Sequence, residues 1–266
     1  MLFLMTCKKN IMNYKVEGNG EPLLFIHGLS DSLLYWEFLA ANLKGDYQII
    51  RVDLKGHGES ELGSDEITID LYADDLIDLL NELNIDKVNL IGFSLGGTAA
   101  LDFAIRFPEK VYSLVLMSTF PKADGYLTEV INQFKSTLNN GFEDFYDYLV
   151  PKVLCPDVIE DNKEELELLK ERLSLNANVE AFIGAADAGL NFDVEDKLSD
   201  ITVPTLILAG KYDEITLMDV QKRMHEKIKG SEMIIFDNAK HNLLVGKNNE
   251  EILNILKNFY KKIKDE

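Results

Sequence analysis

The sequence predicts an α/β chain: a mostly parallel sheet covered on both faces by helices, with a helical segment inserted in its second half. Apolar runs of strand length alternate with amphipathic helical stretches, the pattern that builds βαβ units and a two-faced sheet. The alternation lapses between about Pro121 and Leu198 and resumes at Val203-Pro204. With 266 residues, 46% of them hydrophobic, the chain can bury one large core.

The first strand signal is Leu23-Leu24-Phe25-Ile26, followed by Trp36, Leu39 and Leu43 at helical spacing. Tyr47 to Val52 reads as the next strand, and Leu76, Leu79, Leu80 and Leu83 mark the helix after it. Val88 to Ile91 and Tyr112 to Met117 are strands flanking a helix over Thr98 to Phe107. Beyond the lapse come the strand Thr205 to Gly210, a polar helix over Val220 to Ile228 and the strand Glu232 to Phe236. Ile252, Ile255, Leu256, Phe259 and Ile263 share one face of a closing helix. The expected division is a core of 1–120 and 199–266 with a helical cap over 121–198. The cap is rich in aromatics, among them Tyr126, Phe134, Phe142, Phe145, Tyr146, Tyr148 and Phe182, more than half of which we expect to bury its helices against each other. Its one arginine is Arg172.

The chemistry concentrates in Gly92-Phe93-Ser94-Leu95-Gly96-Gly97, which lies between a strand-like and a helix-like run. A G-x-S-x-G turn in that setting is sharp, so flanking glycines give the backbone room while the serine hydroxyl projects into open space. Ser94 is therefore the candidate nucleophile. Asp213 follows the Thr205–Gly210 run, at the carboxyl edge where open α/β sheets place their ligands. His241 lies in the loop after Glu232–Phe236, completing the order Ser, Asp, His. A serine hydroxyl is a weak nucleophile and needs an imidazole to take its proton, and that imidazole needs a carboxylate to fix its tautomer. The backbone N–H groups of Leu29 and Leu95 are the candidate oxyanion donors. Glu214 and Asp237 are competing carboxylates at the same strand ends, and His225 falls on a polar helix where a solvent-facing ring is expected.

In their joint order, His27-Gly28, the Asp53-to-Ser60 loop with His57 and Gly58, the Ser94 elbow, Asp213 and His241 make the chain resemble the α/β-hydrolase superfamily over nearly its whole length. The resemblance implies that His27 orients the oxyanion turn and that His57 braces the loop beside it. Lys55 stands where the family pattern usually has Arg, and Lys240 where it often has Gly, a change that bears on the approach of the His241 loop. The implied activity is hydrolysis of a small or medium carboxylic ester through an acyl-enzyme, without cofactor or metal. Phe93, Phe142, Phe145 and Tyr146 are the candidate lining of the substrate pocket. Relatives with an aspartate nucleophile, the haloalkane dehalogenases and epoxide hydrolases, are disfavoured by Ser94. Thr98 weighs against the menaquinone-pathway lyase, which usually carries Arg after the elbow glycines. Enol-lactonases and carrier-protein methyl esterases share the same machinery, and a ligand receptor on the same fold is the alternative from another class.

The formal net charge of −19 argues against nucleic acid or an anionic membrane surface as partner. A small-molecule ester is the expected partner. Cys7 and Cys155 are the two cysteines, without spacing for zinc or a redox pair. Met1 to Cys7 is apolar but too short for a signal h-region, and no apolar run reaches membrane-spanning length. A cytoplasmic location is the expectation.

Overall fold

A computed structural model describes residues 12–265; Met1 to Cys7 lie outside them. Seven strands form one sheet in the order β1-β3-β2-β4-β5-β6-β7. They are β1 (Tyr14–Glu17), β2 (Glu21–Ile26), β3 (Tyr47–Val52), β4 (Val88–Phe93), β5 (Val111–Met117), β6 (Thr205–Gly210) and β7 (Glu232–Phe236). Every pairing is parallel except that of β1 with β3. β4 and β6 are buried at all six positions, as strands covered on both faces must be.

Strand alternation divides the apolar side chains into two cores. On one face Leu23, Phe25, Ile49, Ile91, Val115 and Leu208 pack with α1 (Glu37–Leu43) and α10 (Asn248–Asp265), including Leu256 and Phe259. On the other, Leu24, Ile26, Ile50, Leu90, Leu116 and Ile207 meet α2 (Ile69–Glu82), α3 (Leu95–Arg106) and α9 (Met218–Lys227). The helix spacings read from Leu39 and Leu43 and from Ile252 to Phe259 thus correspond to buried faces. β1 escaped the sequence reading because Tyr14-Lys-Val-Glu is a short edge strand with two exposed positions. Arg51 of β3, fully buried, anchors it: its guanidinium bonds Glu17 at 2.5 Å and Glu37 at 2.6 Å, joining β1 to the first turn of α1.

Between β5 and β6 run five helices, α4 (Gly125–Asn140), α5 (Phe142–Val153), α6 (Pro156–Asp161), α7 (Lys163–Ser174) and α8 (Val179–Asn191). The two ends of this segment meet at a neck, where Lys122 bridges Asp193 and Val194 N–H donates to the Pro121 carbonyl at 2.9 Å. Phe134, Phe142 and Phe145 interlock within it, at ring separations of 5.6 and 5.9 Å. Among the described residues, no helix is long and apolar enough to cross a membrane.

At the end of β6, Gly210 lies so close to the loop after β7 that a Cβ there would fall 1.9 Å from the Lys240 carbonyl oxygen. Gly210→Ala is expected to force that loop away and cost about 1–3 kcal/mol, the usual range for overpacking. Gly45→Ala, whose Cβ meets nothing within 4 Å, should stay within about 0.5 kcal/mol of wild type. Urea unfolding of the pair checks this; equal midpoints would show that the contact is soft.

Candidate active site

The site begins where β4 turns into α3. Ser94 holds φ 50° and ψ −118°, a conformation that L residues avoid. Its neighbours make that conformation obligatory. A Cβ on Gly92 would lie 2.5 Å from the Gly96 carbonyl oxygen, one on Gly96 2.3 Å from the carbonyls of Ile26 and His27, and one on Gly97 2.4 Å from Thr119 Oγ1. The turn is pinned by hydrogen bonds from Ser94 N–H to the Met117 carbonyl at 2.9 Å and from Thr119 Oγ1 to the Ser94 carbonyl at 2.7 Å.

Two loops from the carboxyl edge complete a continuous hydrogen-bonded line. Ser94 Oγ is 2.9 Å from His241 Nε2, and His241 Nδ1 is 2.9 Å from Asp213 Oδ2. Asp213 is itself held: Oδ1 accepts from the N–H groups of Ile215 and Thr216, at 2.8 and 3.0 Å, and Oδ2 accepts from Thr216 Oγ1 at 2.8 Å. With those acceptor sites occupied, the carboxylate is locked in orientation toward the ring. The competing acids are engaged elsewhere. Glu214 pairs with Lys240, and exposed Asp237 pairs with Lys211 at 2.8 Å. Lys240 also donates to the Pro151 carbonyl at 2.7 Å, and Asn242 N–H to the Val153 carbonyl at 3.0 Å, so the His241 loop is bonded on both sides to the end of α5. His225 is exposed, as its helix face implied.

Leu95 opens α3, so its N–H has no intrahelical partner and lies at the positive end of the helix. Gly28 brings the Leu29 loop against the elbow, since a Cβ there would fall 3.3 Å from Ser94 Cβ. His27 fastens that loop from behind: Nε2 accepts from Leu54 N–H at 3.0 Å, which assigns the proton to Nδ1 and its 2.7 Å bond to the Gly28 carbonyl. His57 bonds the Lys55 carbonyl through Nδ1 at 3.1 Å, with its ring 5.3 Å from that of His27. Burial drives the pKa of His27 down to about 4 and that of His57 to about 3, the latter lowered further by His27.

Ser94 and His241 open into a cavity of about 390 Å³. Leu29, Leu95, Phe93, Phe142, Phe145 and Tyr146, all named from the sequence, line it. Phe93 stacks on Tyr35 at 4.6 Å and lies 5.2 Å from the His241 ring. Sequence reading passed over Asp31, Tyr35 and Asn242 in the lining and Thr216 behind Asp213. A signal for Asp31 was present, an acid four residues after His27 in a loop already marked for function. Among the described residues, no group of three or more His, Cys, Asp or Glu side chains is placed to hold a metal ion.

The family profile described as the alpha/beta hydrolase fold matches residues 21–247, and the chain belongs to this hydrolase family. It is 30% identical to the AB hydrolase superfamily protein YisY of Bacillus subtilis, over 84% of this chain and 86% of that one. It is 26% identical to 3-oxoadipate enol-lactonase 1 of Acinetobacter baylyi, over 84% and 82% of the two chains. Among solved structures, a thermophilic esterase from Thermogutta terrifontis superposes with a TM-score of 0.85 at 25% identity, covering 95% of this chain and 93% of that one.

His27 and His57 have a pH signature. Their folded-state pKa values lie below the ordinary 6.5, so in acid the unfolded chain takes up protons first. The stability they contribute is complete above pH 6.5, drains as pH falls to about 4 for His27, and continues to about 3 for His57. Within those windows each contributes a slope of about 1.4 kcal/mol per pH unit. Long-range ¹H–¹⁵N spectra should show both rings as neutral Nδ1–H tautomers at pH 5.5. An imidazolium pattern at either position would contradict the assignment.

Proposed function

We propose that the protein is a cofactor-independent serine hydrolase that cleaves a small or medium carboxylic ester through an acyl-enzyme. The observation that carries this is the line from Ser94 Oγ through His241 to Asp213, two contacts of 2.9 Å each, opening from a strained elbow into a largely apolar cavity. As Ser94 Oγ attacks the ester carbonyl carbon, His241 Nε2 takes the hydroxyl proton, and Asp213 stabilises the imidazolium that forms. The carbonyl oxygen becomes an oxyanion, which the N–H groups of Leu29 and Leu95 receive; one such donor is typically worth about 10² to 10³ in rate. Collapse of the tetrahedral intermediate breaks the bond to the alkoxide, which leaves with the proton from His241. Water, activated by the same ring, then releases the acid and restores Ser94.

The helices over residues 125–191 act in this reading as a cap that selects the acyl group. Phe142, Phe145 and Tyr146 supply apolar wall and no chemistry. A lactone is a cyclic ester open to the same attack, and the enol-lactonase relative makes lactones a required arm of the substrate panel.

Ser94→Ala should abolish hydrolysis across a panel of esters, lactones and thioesters while leaving the thermal midpoint near wild type. Loss of a nucleophilic serine costs about 10⁶ in kcat in the subtilisin precedent. Retention of a tenth of the wild-type rate would remove Ser94 from the mechanism. Asp213→Asn should lower kcat by about 10⁴ through the wrong His241 tautomer, whereas Asp237→Asn, on the surface against Lys211, should stay within twofold. The reverse ranking would reassign the acid.

A further inference from the structure

The cavity lining is chemically divided. The inserted helices contribute mainly apolar groups such as Leu127, Ile131, Phe134 and Phe145, with Arg172 as their one cation, while the loop after β2 and the turn before α1 contribute Ser30, Asp31, Ser32 and Tyr35, with Asn242 beside them. Asp31 is the acid of this polar wall and has no role in the reaction derived above. It is half-buried and accepts one hydrogen bond, from Ser32 N–H to Oδ1 at 2.9 Å. Among the described residues no Lys, Arg or His side chain pairs with it. Its charged neighbour is another acid, Asp53, which is already saturated by Leu33 N–H, Asn13 Nδ2 and Glu59 N–H at 2.6, 2.7 and 2.9 Å. Burial, with Asp53 adding to it, raises the Asp31 pKa to about 7.

A partly desolvated carboxyl without a counter-charge destabilises its surroundings unless a ligand supplies the missing cation. Asp31 also lies two residues beyond Leu29, one of the proposed oxyanion donors, so its bare negative charge would oppose the charge that develops during attack. We propose that Asp31 binds the alcohol half of the substrate, and that this leaving group carries a protonated amine. The inference rests on the serine-hydrolase reading of the same site. The ammonium donates to the carboxylate and cancels its charge, and the apolar acyl chain is left to the inserted helices. Because the neutralisation matters most when the oxyanion forms, the benefit falls on kcat as well as KM. The titratable and charged groups that share the cavity or its wall with Asp31 are Asp53 from the loop after β3, Tyr35 from the turn before α1 and, elsewhere on the lining, His241 from the loop after β7 and Arg172 from α7, which makes no ion pair with Asp31.

The test uses two nearly isosteric esters of one acid, dimethylaminoethyl and 3-methylbutyl. In the wild type, the ratio of their kcat/KM values should favour the amine and rise as pH increases through about 7; effects common to both esters cancel in the ratio. In Asp31→Asn the ratio should fall about tenfold or more, the scale of a hydrogen bond to a charged group, and lose its pH dependence. An unchanged ratio in Asp31→Asn overturns the proposal. Binding supplies a readout that needs no turnover: calorimetry on Ser94→Ala should detect dimethylaminoethanol more tightly than 3-methylbutanol, and adding Asp31→Asn should erase the difference. If Ser94→Ala retained full hydrolysis while this preference held, the serine-hydrolase reading would fail and the amine site would stand. Equal binding of the two alcohols to Ser94→Ala would remove the amine site.

Discussion

The constraint on which the site depends is the approach of two backbones at the elbow. With Gly96 against the carbonyls of Ile26 and His27, and Gly92 against Gly96, the chain after β4 has one route into α3. That route puts Ser94 at φ 50°, in a region that costs about 1–3 kcal/mol for a residue with a Cβ. The parallel sheet and the two cores hold the turn in this state. They also carry β6 and β7 to the same edge, which places Asp213 and His241 without any helix having to bend toward Ser94.

A second tier of contacts fixes orientation. Thr216 and the amides after Asp213 occupy the acceptor sites that face away from His241. His27 does for the Leu29 loop what Asp213 does for the His241 ring, since its single neutral tautomer satisfies one donor and one acceptor on two different loops. Both devices are buried, so water does not compete for them.

The main strands and the proposed triad were legible in the sequence because long apolar runs set the strand ends, and Gly92, Ser94, Asp213 and His241 follow directly from those ends. The choice among Asp213, Glu214 and Asp237 was not settled by spacing. In the folded chain Asp213 is the acid that reaches His241, while Lys240 and Lys211 pair with the other two. β1 was missed because four residues with an exposed middle carry no apolar signature, and its anchor, Arg51 to Glu17, spans 34 positions. Asp31, Asn242 and Thr216 are polar residues in loops, and their surroundings are created only when distant segments meet.

The bonds from Lys240 and Asn242 to the carbonyls of Pro151 and Val153 bear on how such a chain diversifies. The end of a helix leaves carbonyls without intrahelical donors, and here the histidine loop supplies donors for them. Two segments nearly ninety residues apart in sequence therefore form one inherited unit. An inserted segment exchanged from a relative brings a different α5 terminus, and unless residues 240–242 travel with it, an ammonium and an amide lose their acceptors beside the His241 ring. Recombination among members of the family is thus expected to preserve this pairing of modules, even where the helices themselves are freely replaced.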